Sequence, residues 1–188
     1  MYHVHQVRGR LQEAQDELEK SLSLDPTAVI LLSDQTEFAF YRDDWDEVIR
    51  DAGRCLQFHP DEAFCAFARS IAFLRKGDIP AAHRTMAQGP FTPLLGVFEA
   101  FASGQMDTTR RGLRRLLAEH PSANEPSLPA TLYVLSGDWK AADQWLDRCY
   151  RARSPNMIFL HLVRDLQSDD PRYQAWLDRM ALPRVRGL

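Results

Sequence analysis

The sequence is poor in the residues that announce chemistry. Its 188 residues hold three cysteines, Cys55, Cys65 and Cys149. That odd, scattered set argues against a disulfide framework and against paired zinc-type spacing, so reduced thiols are the simplest reading. His-x-x-x-His, Cys-x-x-Cys, a Gly-rich phosphate loop and a nucleophile elbow are all missing, which leaves metal chemistry and nucleophilic catalysis without a motif. Neither a cofactor nor an enzymatic activity is expected. Apolar stretches such as residues 28–32 fall far short of the ~18 residues a membrane span needs, and the opening MYHVHQVRGR has no apolar signal-peptide core. Cytoplasmic residence is the resulting expectation. A formal net charge of −3 and a pI near 6.1 give no basic excess that would call for nucleic acid or an anionic membrane as the main partner.

What the sequence does have is a period. Gly9-Arg10, Asp43-Asp44 and Gly77-Asp78 lie 34 residues apart, and so do Pro26 and Pro60. Between turn and proline, Ala14, Leu18, Ser21 and Leu22 in the first unit have counterparts in Val48, Ala52, Cys55 and Leu56. Small residues at this spacing allow close helix approach, larger ones fill the layer between helices, and proline ends the helix because it cannot continue the hydrogen-bond ladder. The third unit has Ala66, Ser70 and Phe73 before its turn and Ala82 and Met86 after it. Gly89-Pro90 then predicts an early break and a compressed fourth unit, whose turn is Gly104 and whose second helix spans residues 108–120 and closes at Pro121. A fifth unit uses Ala130 and Tyr133, turns at Gly137-Asp138 and continues through Ala142, Leu146 and Cys149.

The 34-residue spacing of turn, small residue, leucine and proline resembles the tetratricopeptide repeat family, in which two-helix units bury their faces by stacking on neighbours. The resemblance implies an all-α, right-handed solenoid of about five repeats over residues 1–153, the first of them truncated. Residues 154–188 would form a C-terminal capping helix pair and tail: an amphipathic helix over 157–166, then a last helix that Asp170-Pro171 starts and that carries Tyr173, Trp176, Leu177 and Met180. The segment from Ser168 to Pro183 is similar to the ends of such regions in bacterial winged-helix or adenylate-cyclase-type regulators. Tyr2 and His5 precede Gly9 as Ser70 and Phe73 precede Gly77, so the first helix is half a helix. Either the chain was cut from a longer protein or a short natural helix opens the array.

Within that resemblance, first helices line a groove that recognises protein partners. The inward positions map to Ile30, Ser33, Glu37, Phe40 and Tyr41, then Phe64, Phe67, Ile71, Leu74 and Arg75, then Leu94, Phe98 and Phe101. Phe40, Tyr41, Phe64, Phe67, Ile71, Arg75, Phe98 and Phe101 are the candidate partner-binding residues, suited to an apolar peptide or helix. Packing between helices is the competing reading for each ring, and a solvated side chain that for Arg75. The carboxylate clamp of some family members is replaced by Ser33, Asp34 and Glu37. Arg110, Arg111, Arg114 and Arg115 share a helix face that reads as solvated. His59 and His120 each precede a closing proline, and Trp45 and Trp139 sit beside turns as wedges. The expected function is a non-catalytic interaction scaffold within a larger regulator. The alternative is a free-standing chaperone for an apolar secreted or membrane client.

Overall fold

Each hairpin follows from the way its first helix is ended. The computed structural model describes residues 2–86, 92–119, 126–154, 156–157 and 170–183, and among them there is no strand. The helices pair along the chain: α1 (Tyr2–Val7) with α2 (Leu11–Leu24), α3 (Val29–Tyr41) with α4 (Trp45–Phe58), α5 (Ala63–Arg75) with α6 (Ile79–Met86), α7 (Leu95–Ala102) with α8 (Met106–Glu119), and α9 (Ser127–Leu135) with α10 (Trp139–Ala152). A last helix, α11, covers Pro171–Arg179.

Gly9, Asp43, Gly77, Gly104 and Gly137 all take a positive φ, from 55° to 79°. The residue after each donates its N–H to a carbonyl five positions back: Arg10 to His5, Asp44 to Ala39, Asp78 to Phe73, Gln105 to Ala100 and Asp138 to Tyr133, at 2.8–3.2 Å. This left-handed cap satisfies the carbonyls that a helix end leaves over, and it favours glycine because a Cβ is strained there. Asp44, Asp78 and Asp138 then accept the N–H of Glu47, Ala81 and Ala141 at 3.0, 3.0 and 3.3 Å. One dipeptide therefore closes one helix and opens the next. The same cap recurs beyond the period, with Arg153 and Ala181 left-handed and Ser154 and Leu182 bonded back to Cys149 and Leu177.

The second helices bury the positions five and nine residues past each turn. Ala14, Val48, Ala82, Thr109 and Ala142, and Leu18, Ala52, Met86, Leu113 and Leu146, are at most 3% exposed. Side chains four apart stand one above the other on a helix, so these rows form the layer against the next hairpin. Between hairpins, Arg54 reaches the carbonyl of Pro26 at 3.0 Å and His59 Nε2 lies 2.7 Å from that of Thr27. The compressed fourth unit is evident in α7, which has 8 residues where α3 and α5 have 13. Gly89-Pro90, the loop at 121–125 with His120, and most of the helix expected over 157–166 lie outside the described residues.

One expectation is corrected. Cys55 and Cys65 are joined in a disulfide, with Cα atoms 6.4 Å apart, and are not reduced thiols. The turn at residues 59–62 brings the last turn of α4 against the first of α5, a juxtaposition that no Cys-x-x-Cys spacing announces. Cys149 is a buried thiol.

Helix α11 lies on α10. Tyr173, Trp176 and Leu177 join the core cluster that holds Ala142, Leu146 and Cys149, and Trp176 Nε1 donates to Asp143 Oδ1 at 2.9 Å. Arg172 stacks over Trp139 at 4.5 Å, and Arg179 over Tyr150 and Trp176 at 4.2 and 4.6 Å. Burial pushes the Tyr173 hydroxyl well above the ordinary phenol range, because ionisation would place a charge in that apolar layer.

Candidate partner-binding groove

The first helices α3, α5, α7 and α9 enclose a cavity of about 200 Å³. Phe40, Tyr41, Phe64, Phe67, Ile71, Arg75, Phe98 and Phe101 all line it. Helical spacing explains the convergence: Phe64, Phe67, Ile71, Leu74 and Arg75 fall on one face of α5, while Ala66, Arg69 and Phe73 turn to a wider cleft of about 530 Å³ on another. Ile71 and Phe98 are buried and make the floor, and Phe40, Tyr41, Phe64, Phe67 and Phe101 are half-buried. Phe67 is the centre of the ring cluster, its centroid 5.1 Å from Phe98, 6.4 Å from Phe40 and 6.5 Å from Phe64. Several rings thus pack on the core and line the cavity at once, so the two readings of these residues describe two sides of the same side chains.

Arg75 does not merely extend into solvent. Its guanidinium lies over Trp45 at 5.6 Å and over Phe101 at 5.2 Å, so a cation is held at the mouth of an apolar cavity by ring faces. Trp45 stands edge-on to Phe40 at 5.5 Å and lines the cavity, as do Asp43, Ala102 and the α9 residues Leu128, Thr131, Leu132 and Leu135. Sequence reasoning missed these. The signal for Trp45 was its place beside a turn, but the α9 wall depends on how hairpins distant in sequence pack together. Ile30, Ser33, Glu37 and Leu94 do not line the cavity; Ile30 is exposed, Ser33 Oγ faces Cys65 Sγ at 3.6 Å, and Leu94 is buried.

Glu37 touches the groove through Tyr41, whose hydroxyl donates to Glu37 Oε1 at 2.8 Å. Burial raises the Glu37 carboxyl above its ordinary range, against the opposing pull of Tyr41 and the Gln6 amide. One turn earlier, burial and the neighbouring Glu37 push Asp34 up to about 7. His3 Nε2 stands 3.5 Å from Asp34, and burial, followed by the positive chain start, lowers its imidazole below the usual value.

The arginine face of α8 is knitted into the array. Arg110 Nε donates to the Ser136 carbonyl at 2.8 Å, Arg114 pairs with Asp138 at 3.6 Å and Arg115 with Glu119 at 2.7 Å. Arg110 and Arg114 thereby tie the fourth hairpin to the turn of the fifth. Among the described residues no cluster of three or more His, Cys, Asp or Glu side chains could hold a metal, and no helix is long and apolar enough to cross a membrane.

No family model matches the sequence, and no curated protein does. Among solved structures, the fold is similar to that of a tetratricopeptide repeat protein from Parabacteroides merdae ATCC 43184, with a TM-score of 0.53 and 15% identity over 96% of this chain and 75% of that one. At that identity the likeness establishes architecture: an all-α, tetratricopeptide-like solenoid.

Proposed function

We propose that the chain is a non-catalytic interaction module that receives an apolar side chain of a partner protein or peptide in the aromatic cavity. The observation that carries this reading is the convergence of four first helices on one cavity with Phe67 at its centre. About 200 Å³ is below the ~300–1,000 Å³ of pockets that engulf a small molecule. It suits one large anchor from a peptide, and buried aromatic anchors carry most of the affinity at such interfaces. The second reading, a free-standing chaperone for an apolar client, would need an apolar face broader than this cavity.

The test is selection from a library of random 16-residue peptides on the immobilised chain, followed by titration of a selected peptide. Phe67→Gln should weaken binding by tenfold or more, roughly the ≥2 kcal/mol of an anchor residue, and the pair Arg111→Gln with Arg114→Gln should change it little. The opposite ranking, with both variants folded, would move the site to α8. The likeness of residues 168–183 to bacterial regulators extends the proposal to a larger regulator of which this chain is the interaction region. Expression beside the neighbouring reading frame, with an assay for a shared transcript and complex, tests that extension.

A further inference from the structure

The face of α5 that turns away from the groove lines the wider cleft, and charge is sorted along it. Glu62, Ala66, Arg69 and Phe73 follow one another at intervals of four, three and four residues, so they stand on one face of α5 from its N-cap to its last turn. Leu56 of α4, Pro60 and Asp61 of the turn before α5, and Ala81 and Arg84 of α6 close the cleft in. Ser70 Oγ donates to the Ala82 carbonyl at 3.1 Å, and α5 and α6 run antiparallel, so Arg84 comes level with Ala68 and Arg69. Two carboxylates therefore lie at one end of the cleft and two guanidiniums two helical turns away, ~10 Å along the axis at 1.5 Å per residue.

Neither end satisfies the other. Among the described residues Asp61, Arg69 and Arg84 make no hydrogen bond or ion pair, and Glu62 uses one oxygen to accept the Phe64 N–H at 3.3 Å. Arg69 is nonetheless held in place. Its guanidinium lies over the Phe73 ring at 5.5 Å and against Gly53 of α4, where a Cβ would stand 3.4 Å from Nη2. Nε is buried there without an acceptor, an uncommon state for a donor of this strength, and the terminal nitrogens are the donors left for a ligand to meet. Between the charged ends the walls are apolar, with Ala66 and Ala81 leaving the room. A volume of about 530 Å³ falls within the ~300–1,000 Å³ of small-molecule sites.

We propose that this cleft binds a small linear zwitterion, of the class of a dipeptide with an apolar side chain. Its carboxylate seats between Arg69 and Arg84, its ammonium faces Asp61 and Glu62, and its apolar body rests on Leu56, Ala66 and Phe73. A simple anion would leave the carboxylate end unmatched, and a simple cation the guanidinium end. An extended dipeptide holds its two charges ~7 Å apart, which the side chains reaching in from either end complete to the ~10 Å between them. In a single α-amino acid the charges are too close to meet both ends. This site lies on the other side of α5 from the aromatic groove and does not rest on the groove reading.

Calorimetric titration of the full chain with alanyl-leucine, its N-acetyl form and its C-terminal amide tests the proposal. Alanyl-leucine should bind saturably, and each capped form about tenfold more weakly, because each loses one charge-assisted contact. On the Asp61→Asn, Glu62→Gln chain the free and acetylated dipeptides should bind alike. On the Arg69→Gln chain, and on the Arg84→Gln chain, the penalty for the amide should shrink. Arg84 is exposed, so its variant carries the test should the melting temperature show Arg69→Gln to be unfolded. Phe67→Gln should leave alanyl-leucine binding unchanged. Three results would overturn the inference and leave the groove reading standing: no saturable binding of alanyl-leucine, equal binding of the three forms, or penalties that persist undiminished in the cleft variants. Loss of alanyl-leucine binding in a folded Phe67→Gln chain would also overturn it, by placing the dipeptide in the groove.

Discussion

Ending the chain at residue 169 removes α11 and with it Tyr173, Trp176 and Leu177, all of which sit in the core layer over α10. Each such side chain contributes ~1.5–3 kcal/mol when buried, so the three together contribute ~5–9 kcal/mol by area. The unfolded chain already buries part of that surface, which brings the loss down to ~4–7 kcal/mol. Against a total of ~5–15 kcal/mol this is severe. At ~2–4 °C per kcal/mol for a chain of this size, the shortened protein should melt some 10–25 °C lower. The loss should also be graded, because units of a repeat array feel their nearest neighbours. Hydrogen exchange should show the amides of α9 and α10 losing protection first and those of α3 and α4 last. Trp176→Phe gives a milder control, since it deletes the bond to Asp143 at a cost of ~1 kcal/mol. A shortened chain that melts and exchanges like the parent would refute the reasoning and make α11 an appendage.

Three further outcomes are expected. Asp34 has a folded pKa of about 7, above its ordinary 3.8, so the folded state holds a proton that the unfolded state has lost, and stability falls as pH rises from about 4 to 7. Asp34→Asn removes that penalty; with allowance for partial exposure its advantage should grow over this window to ~1–2 kcal/mol and stay flat above it, and equal melting of the two proteins at pH 8 would contradict the raised pKa. Denatured without reductant, the chain should react with one equivalent of a thiol reagent, at Cys149, because Cys55 and Cys65 are paired; three equivalents would deny the disulfide. Gly77→Ala meets no atom within 4 Å but must adopt φ +79°, so denaturant unfolding should show a loss of ~1–2 kcal/mol from backbone strain alone, and no loss would mean the turn is not left-handed.

The turns were legible because their chemistry is local. A glycine, or Asp43, followed by a capping residue specifies the end of one helix and the start of the next, and the buried rows on the second helices follow from 3.6-residue spacing. The eight aromatic, apolar and cationic groove residues could be named for the same reason, since they fall on one face of each first helix. What escaped was set by how hairpins lean on one another. Leu128 and Leu132 reach the cavity through packing of α9 against first helices far from it in sequence, and Cys55 meets Cys65 because a short turn folds α5 back on α4. Asp34 and Glu37 were noted for what they lack, a clamp for carboxylates. Burial raises both carboxyls and Glu37 adds to the rise at Asp34, which sequence spacing alone does not reveal.

The central claim is that partners bind in the groove of the first helices. Backbone and side-chain NMR shifts of the full chain, titrated with a peptide selected from the random library, test it most directly. The account predicts changes centred on Phe40, Phe67, Phe98 and Phe101, with Arg111 and Arg115 of α8 unmoved. Changes centred on the α8 arginines, with the Phe67 and Phe98 ring signals unaltered at saturation, would contradict it.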